Sequence, residues 1–219
     1  MTLSEENYLK AIYHLTTVTD ADVSTNAIAE MMETKASSVT DMLKKLAEKD
    51  LVNYKKYQGV SLTNKGLLSA KMIVRKHRLW EVFLVDKLNF AWDEVHDIAE
   101  QLEHIKSEQL INKLDDFLGN PTEDPHGDPI PDAQGRMAKT DKQLLSDLAI
   151  NQIGICVGVK DSSAEFLKYL DKQSIALGSK IEILAKESFD LSTKIRVNET
   201  TELTISNKIA NNLFVKVDY

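Results

Sequence analysis

The sequence predicts an α+β fold in three parts: an N-terminal winged helix-turn-helix, a helical middle region and a small C-terminal β-barrel. Three observations lead to this prediction. Three short helical segments and two short β segments occupy residues 1–62. Apolar residues at helical spacing continue to Gly119, and all four prolines of the chain lie within residues 120–131. Beyond residue 142, segments such as QIGICVGV, KIEILAK and ELTISN have the length and alternation of β-strands.

The N-terminal segments follow the order of a winged helix-turn-helix. Ser4 is a candidate N-cap for a helix through ENYLKAIYHL, and Ser24 for a second helix through TNAIAEMMET. The segment SSVTDMLKKLAEKD predicts a third helix with three apolar residues on its inner face: Val39, Leu43 and Leu46. LVNYKK and VSLT, on either side of a turn at 57–59, predict a β-hairpin. In this fold the third helix enters the major groove of DNA.

The distribution of charge supports a nucleic-acid partner, although the net charge of −7 argues against one at first. Residues 35–78 hold eleven Lys or Arg and three acids, a local charge of +8, so the rest of the chain carries −15. A basic segment on an acidic body is typical of a domain that contacts phosphates.

The outward residues of the third helix and of the hairpin are therefore the candidates for DNA contact. The groove-facing candidates are Lys35, Ser37, Ser38, Thr40, Asp41 and Lys44. Three hairpin residues, Lys55, Lys56 and Tyr57, are expected to contact phosphate, which positions a protein on DNA without reading its sequence.

Nothing in the sequence predicts a membrane or secreted protein. No apolar run approaches the roughly 18–20 residues of a membrane span. The start, MTLSEENYLK, lacks the apolar core of a secretory signal. The single cysteine, Cys156, fits a reducing compartment. We therefore expect a cytoplasmic protein.

The stretch HDIAEQLEHIKSE, residues 96–108, places metal-type ligands on one side of a predicted helix. At about 100° per residue, four of them share an arc of about 100° beside an apolar face: His96, Glu100, Glu103 and His104. Alone, this stripe fits a solvated helix surface equally well. Four of the five histidines, however, lie between the predicted winged helix and barrel: His77, His96, His104 and His126. Because three of them have acids at helical spacing, the pattern favours metal binding.

Five segments match a known family in order and spacing: ENYLKAIYHL, SSVTDMLKKLAEKDLV, VRKHRLWEVFL, VHDIAEQLEH and DPHGDPIP. They resemble the metal-dependent repressors of the diphtheria toxin repressor type, in particular the manganese transport regulator branch. The C-terminal part, through SKIEILAK, is similar to the SH3-like domain of that family. The resemblance implies a repressor of metal-uptake genes that responds to Mn²⁺, or alternatively Fe²⁺. It also implies a homodimer bound to a palindromic double-stranded DNA operator, and no enzymatic activity.

The resemblance implies a regulatory metal site made of Glu100, Glu103 and His104 with residue 7 of the first helix. The manganese branch has a carboxylate at position 7, whereas this chain has Asn7, whose side-chain oxygen is a weaker ligand for a hard cation. Lys10 stands where the manganese branch can carry a second acid, so a binuclear cluster built on that acid is not expected. Glu100 favours Mn²⁺, because the iron-sensing branch has cysteine there.

The same resemblance implies a second site, for which the family has two ligand sets. One set matches His77, Glu81 and His96. The other matches Glu81, Asp124 and His126, joined by an acid from the barrel. Asp161 is the first candidate for that acid, and Glu165 is the second.

We expect three domains with distinct roles. They are a winged helix-turn-helix at 1–72, a helical metal-binding and dimerisation domain at 73–140 and an SH3-like (FeoA-type) domain at 141–219. Apolar residues of the middle domain are expected to form the dimer interface: Leu79, Trp80, Phe83, Leu84 and Ile98.

Two other functions stay open on the sequence alone. One is a metalloenzyme that uses the Glu/His residues to activate water. It would leave the winged helix unexplained, and the sequence shows no dedicated general base. The other is a winged-helix regulator that responds to another signal, in which the Glu/His stripe is purely structural.

Overall fold

A computed structural model describes residues 1–19, 22–55, 58–138 and 141–217. The chain forms two compact units. The first unit comprises Met1–Trp80, Ala99–Phe117 and Pro131–Met137, and the second comprises Glu81–Ile98, Leu118–Ile130 and Ala138–Tyr219. Within the described part of the chain, no helix is both long and apolar enough to cross a membrane.

Helix α1, Leu3–Thr19, begins earlier than the sequence predicts. Thr2, and not Ser4, is its N-cap. The Thr2 hydroxyl accepts a hydrogen bond from the Glu5 amide at 3.3 Å, and the Glu5 carboxylate accepts one from the Thr2 amide at 3.1 Å. This reciprocal pair is a capping box, and it satisfies two amide groups that the first turn would otherwise leave unpaired.

The predicted winged helix-turn-helix is confirmed. Helix α2, Thr25–Met31, is capped by Ser24, whose hydroxyl accepts from the Ala27 amide at 3.1 Å. Helix α3, Ala36–Glu48, buries its three predicted apolar residues completely: Val39, Leu43 and Leu46. Strands β1, Val52–Lys55, and β2, Gly59–Leu62, pair as an antiparallel hairpin. The side chains of α1, α2, α3 and the hairpin share one apolar core.

The middle of the chain forms three helices. Helix α4 spans Asn64–Leu88, α5 spans His96–Leu102 and α6 spans Glu108–Phe117. The helix predicted over 96–108 therefore ends at Leu102, although the Glu103 amide still bonds the Ala99 carbonyl at 2.8 Å. His104 consequently lies in the turn after α5, beyond the helical arc in which its spacing placed it.

The prediction of an apolar dimer interface is wrong for three of its five residues. Leu79, Trp80 and Leu84 are buried within the single chain, while Phe83 and Ile98 are half-buried. Helical periodicity identifies an apolar face but does not reveal whether the chain itself or a second chain covers it. The exposed large apolar residues of α4, α6 and their flanking turns are different ones: Leu68, Leu88, Phe90, Leu110 and Phe117.

The second unit contains a six-stranded antiparallel sheet in the order β3-β8-β4-β5-β6-β7. The strands are β3, Gln143–Leu144; β4, Ile153–Val159; β5, Lys180–Lys186; β6, Thr193–Val197; β7, Thr201–Ile205; and β8, Leu213–Lys216. Helix α7, Ala164–Lys172, and the short α8, Asn207–Ala210, complete its apolar core. The segments QIGICVGV, KIEILAK and ELTISN, predicted as strands, correspond to β4, β5 and β7.

The proline-rich loop packs directly on β4. The Val159 amide bonds the His126 carbonyl at 2.9 Å, and the Lys142 ammonium bonds the Gly127 carbonyl at 2.9 Å. Gly127 has a φ of +80°, and a Cβ there would lie 1.9 Å from the Val157 carbonyl oxygen. Only glycine fits this contact, so the loop is fixed where it carries Asp124 and His126.

Candidate metal centres and nucleic-acid interface

The outer face of α3 carries the predicted DNA-contacting residues. Five are exposed and one, Thr40, is half-buried; the exposed ones are Lys35, Ser37, Ser38, Asp41 and Lys44. The Thr40 hydroxyl bonds the Ala36 carbonyl at 3.0 Å, and the Lys44 ammonium lies 3.2 Å from the Asp41 carboxylate. Both contacts stay on the helix, so these side chains are available to a groove.

The hairpin presents Lys55 at the end of β1, where it is exposed. The other two hairpin candidates, Lys56 and Tyr57, lie outside the described residues. In the described part, an exposed cation beside the recognition helix fits a phosphate contact.

Seven side chains of the first unit form what we call the first cluster: Glu6, Asn7, Lys10, His77, Glu100, Glu103 and His104. Glu103 is its centre and is completely buried. One of its carboxylate oxygens lies 2.7 Å from His77 Nδ1. Both of its oxygens contact the Lys10 ammonium, at 2.7 and 2.8 Å. Burial alone would raise the pKa of Glu103, but the hydrogen bond from His77 and the charge of Lys10 lower it, so that the carboxylate stays ionised.

Glu100 joins the cluster through Lys10, whose ammonium lies 3.0 Å from its carboxylate. Glu100 is exposed on α5, whereas the Lys10 side chain keeps only 12% of its surface exposed. Lys10 thus bridges Glu100 and Glu103, but among the described residues Glu100, Glu103 and His104 are not a group whose ligand atoms all lie within 4.8 Å of one another.

Asn7 is half-buried on α1, and its side-chain oxygen is buried with no hydrogen-bond partner. An unpaired buried acceptor is costly, and a cation would satisfy it.

Glu6 is the cluster member that the sequence reading missed. It is 6% exposed, and its carboxylate lies 2.7 Å from His104 Nδ1. An ionised carboxylate only accepts, so Nδ1 carries the proton and the neutral ring presents Nε2 as its acceptor. That Nε2 atom lies 3.8 Å from the Glu103 carboxylate. The available signal was the spacing of Glu6 with the buried Leu9 and Tyr13, at i, i+3 and i+7.

The residues of the first cluster fit a hard divalent cation. Its donor atoms are carboxylate oxygens, one amide oxygen and imidazole nitrogen, a set that suits Mn²⁺ or Fe²⁺ better than the tetrahedral N/S sets preferred by Zn²⁺. Three carboxylates (Glu6, Glu100 and Glu103) meet in this cluster, and Lys10 is the cation in contact with two of them. Lys76 is a second cation near this cluster, since it interacts electrostatically with Glu6 and Glu103.

The second unit holds a separate group of ligand-type side chains, which we call the second cluster. Glu81, Asp124 and His126 are all buried and offer ligand atoms within 4.8 Å of one another. His96 Nδ1 lies 3.5 Å from the Glu81 carboxylate. Both predicted ligand sets for the second site thus converge on Glu81. His77 lies one turn before it on α4, but its imidazole contacts Glu103 of the first cluster.

His126 is held in place by several partners. Its Nε2 lies 2.8 Å from the Trp92 carbonyl, and its Nδ1 lies 3.7 Å from the Glu81 carboxylate. Burial alone would lower the pKa of His126, but Glu81, Asp124 and the Trp92 carbonyl raise it to about 9. A protonated ring cannot ligate a metal, so ion binding here must release a proton.

Asp161, the predicted barrel ligand, is not part of either group of close ligand atoms found among the described residues. Its carboxylate accepts a hydrogen bond from the Ser163 amide at 2.9 Å, immediately before α7. Asp124 also has a backbone role, because one of its oxygens accepts from the amides of His126 and Asp128.

Comparison with known protein families covers almost the whole chain. Residues 1–60 match the N-terminal DNA-binding domain of iron-dependent repressors, and residues 63–132 match the metal-binding and dimerisation domain of the same family. Residues 143–217 match the FeoA domain.

Individual relatives agree with this assignment. The chain is 36% identical over 126 residues to the iron-dependent repressor IdeR of Mycobacterium leprae, a stretch that is 58% of this chain and 54% of that protein. It is 33% identical over 117 residues to the transcriptional regulator MntR of Oceanobacillus iheyensis, covering 53% of this chain and 78% of that one. A solved manganese-dependent transcriptional repressor in complex with manganese superposes with a TM-score of 0.87 at 33% identity, covering 97% of this chain and 99% of the other.

Proposed function

Because the chain belongs to the diphtheria toxin repressor family of metal-dependent transcriptional regulators, we propose that it represses metal-uptake genes when Mn²⁺ occupies the first cluster. Members of this family are transcriptional repressors and not enzymes. The observation that carries the proposal is the buried Glu103, which contacts Lys10 of α1 and His77 of α4 and lies 3.8 Å from His104.

The first cluster connects α1 with α5. Glu6, Asn7 and Lys10 come from α1, whereas Glu100 lies on α5 and Glu103 with His104 directly follows it. When bound, the ion supplies the positive charge that draws these carboxylates together. An ion bound here would hold Glu6 and Asn7 of α1 to the acids at α5, in addition to the contact of Glu6 with His104.

α1 in turn is joined to the recognition helix α3. Their apolar side chains share a core, and the buried Glu5 carboxylate lies 2.6 Å from the ammonium of Lys49, the C-cap of α3. Limiting the motion of α1 therefore limits the motion of α3. In a two-fold dimer the orientation of the two α3 helices must match two half-sites of a palindromic operator. Metal binding would therefore raise the affinity for the operator, with a coupling free energy of about 1–3 kcal/mol.

Mn²⁺ is the favoured ion, with Fe²⁺ as the alternative. Glu100 supplies an oxygen where a thiolate would favour a softer ion. The relatives are divided, since IdeR is named for iron and the superposed structure contains manganese. Asn7 provides an uncharged oxygen, so we expect weaker Mn²⁺ binding than a carboxylate at this position would give.

The second cluster is proposed as an accessory metal site. Its candidate ligands within the second unit are Glu81, His96, Asp124 and His126. His77, which the resemblance also implied, contacts Glu103 of the first cluster, and Asp161 would have to turn from the Ser163 amide to join the site. An ion there would stiffen the proline-rich loop on β4, because Asp124 and His126 lie in that loop.

The domain boundaries at 72 and 140, the homodimer and the cytoplasmic location complete the proposal. The boundary at 140 falls between the matched dimerisation and FeoA regions, whereas the boundary at 72 lies inside the matched dimerisation region, which begins at residue 63.

The direct test is to measure operator affinity by fluorescence anisotropy while Mn²⁺, Fe²⁺ or Zn²⁺ is added to the metal-free protein. The proposal expects the operator affinity to rise with Mn²⁺ or Fe²⁺ more than with Zn²⁺, and a chelator to reverse it. Operator affinity that is independent of all three ions would favour a winged-helix regulator of another signal.

A further inference from the structure

The Lys10 ammonium occupies the centre of the first cluster. It lies 3.0 Å from one oxygen of Glu100 and 2.7 and 2.8 Å from the two oxygens of Glu103. Lysine side chains are rarely buried unless they are paired. Here the pairing is with the two acids that the proposed function assigns to the metal ion.

An ammonium group and a divalent ion compete for these oxygens. The ammonium donates three hydrogen bonds and has no lone pair, so it cannot become a ligand. Two cations held by the same carboxylates would repel each other strongly in a buried site. Glu103 has little capacity to serve both, because one of its oxygens also pairs with His77 and its side chain is completely out of contact with solvent.

We propose that Lys10 is a tethered competitor of the metal ion. Its ammonium neutralises Glu100 and Glu103 in the metal-free protein and leaves them when an ion binds. Lys10 thereby stabilises the metal-free state and raises the metal concentration at which the repressor responds. The inference rests on the proposed function, because it concerns the same site.

The two effects of Lys10 come from one set of contacts. Removing the ammonium leaves two carboxylates facing each other without a cation, which destabilises the metal-free protein. The same removal frees their oxygens, which strengthens ion binding. A residue with a purely structural role would instead destabilise the metal-free and the metal-loaded protein alike.

The test compares four variants of the full chain. Lys10→Met keeps the length of the side chain without its charge, and Lys10→Gln is a second uncharged variant with a polar end. Lys10→Arg keeps the charge. Lys49→Met is the matched control, since Lys49 pairs with another buried glutamate of α1, Glu5, at 2.6 Å.

Two quantities are measured for each variant. The electron paramagnetic resonance signal of free Mn²⁺ gives the Mn²⁺ affinity and the number of ions per chain. Thermal unfolding gives the melting temperature without metal and with saturating Mn²⁺.

We expect Lys10→Met and Lys10→Gln to bind Mn²⁺ at least about tenfold more tightly than the parent, with an unchanged number of ions. Both should melt below the parent without metal but not with saturating Mn²⁺. Lys10→Arg and Lys49→Met should retain the parent affinity for Mn²⁺.

Three results would overturn the inference. They are unchanged or weaker Mn²⁺ binding by Lys10→Met, an additional ion per chain, and an equal loss of melting temperature in both states. Tighter binding by Lys49→Met would show a general charge effect and would also count against it. If the parent protein binds no Mn²⁺, the proposed function itself fails. If the parent binds Mn²⁺ but the Lys10 variants do not show the expected affinities and melting temperatures, only the inference about Lys10 fails.

Discussion

At the scale of single residues, Glu6 is a positioning residue for His104. Its carboxylate holds His104 Nδ1 at 2.7 Å and thereby leaves Nε2 as the ring acceptor beside Glu103. Partners of this kind orient histidine ligands in many metal sites, and their loss typically lowers metal affinity about 10–100-fold. His104 lies in a turn with no helical backbone to fix its side chain, so the orienting contact matters more here.

Replacing Glu6 should therefore weaken Mn²⁺ binding in a graded manner. Gln retains an oxygen that can accept from Nδ1, whereas Leu does not, so Glu6→Gln should lose less affinity than Glu6→Leu. Isothermal titration with Mn²⁺ measures both. Glu5→Gln is the control, because Glu5 is equally buried but pairs with Lys49. Equal losses in Glu6→Gln and Glu6→Leu would exclude the positioning role.

Asn7 gives a second prediction at this scale. Its buried side-chain oxygen has no hydrogen-bond partner. Asn7→Asp adds an anionic ligand of the same shape, so the affinity for Mn²⁺ should rise by about tenfold or more. Asn112→Asp adds the same charge at an exposed position of α6 and should leave the affinity unchanged. An Asn7→Asp protein that binds Mn²⁺ no better would remove Asn7 from the ligand set.

At the scale of secondary-structure elements, the sequence predicted the apolar face of α3 from its hydrophobic periodicity. It did not predict the helix ends, which depend on contacts between side chains and the backbone. Val39, Leu43 and Leu46 define one face of α3, and all three are buried. The stripe of 96–108 continues past Leu102, so periodicity alone could not show that α5 ends there. The N-cap was misplaced because Thr2 and Ser4 have the same chemistry, and only the Glu5 contact distinguishes them.

The candidate sites were predictable to a similar degree. Glu81, Asp124 and His126 bring their ligand atoms within 4.8 Å of one another, whereas Glu100 and Glu103 are linked through Lys10 and His104 lies 3.8 Å from Glu103. Glu6 was missed because an acid at the start of a helix is ordinarily a solvent-exposed partner of the helix dipole. The contact of His77 with Glu103 was missed because the turn after α5 directs Glu103 inward, which no local pattern reveals.

The hairpin gives a prediction at the same scale. Lys55 is exposed at the end of β1, and a contact with phosphate would release about one counterion. Lys55→Ala should weaken binding to all DNA sequences and reduce the slope of log affinity against log salt by about 1. Ser37→Ala, on the outer face of α3, should instead change the preferred operator sequence. An unaltered salt slope in Lys55→Ala would refute the phosphate contact.

The proline-rich loop gives the prediction for the second cluster. His126→Ala removes a buried ligand, so the number of metal ions retained per chain should fall while part of the Mn²⁺-dependent operator binding remains. Metal analysis after dialysis measures this number. His14→Ala is the control, since His14 lies on α1 outside both clusters. The same number of ions in His126→Ala and the parent would rule out an accessory site there.

At the scale of the whole molecule, we expect one buried carboxylate, that of Glu103, to link metal binding to DNA binding. Glu103 contacts Lys10 of α1 and His77 of α4, and α1 shares a core and an ion pair with the recognition helix. The dimer itself should not need metal, because exposed apolar side chains such as Leu110 and Phe117 lie away from Glu103 in sequence and on another helix.

The most direct test of this account is operator affinity as a function of Mn²⁺ for Glu103→Ala and the isosteric Glu103→Gln, with Glu108→Ala as an exposed control in the same unit. Light scattering and thermal unfolding establish beforehand that each variant is a folded dimer. Both Glu103 variants should bind the operator with the metal-free affinity at every Mn²⁺ concentration, whereas the parent and Glu108→Ala should tighten by about 5–150-fold. Full Mn²⁺-dependent tightening in either Glu103 variant would contradict the central claim.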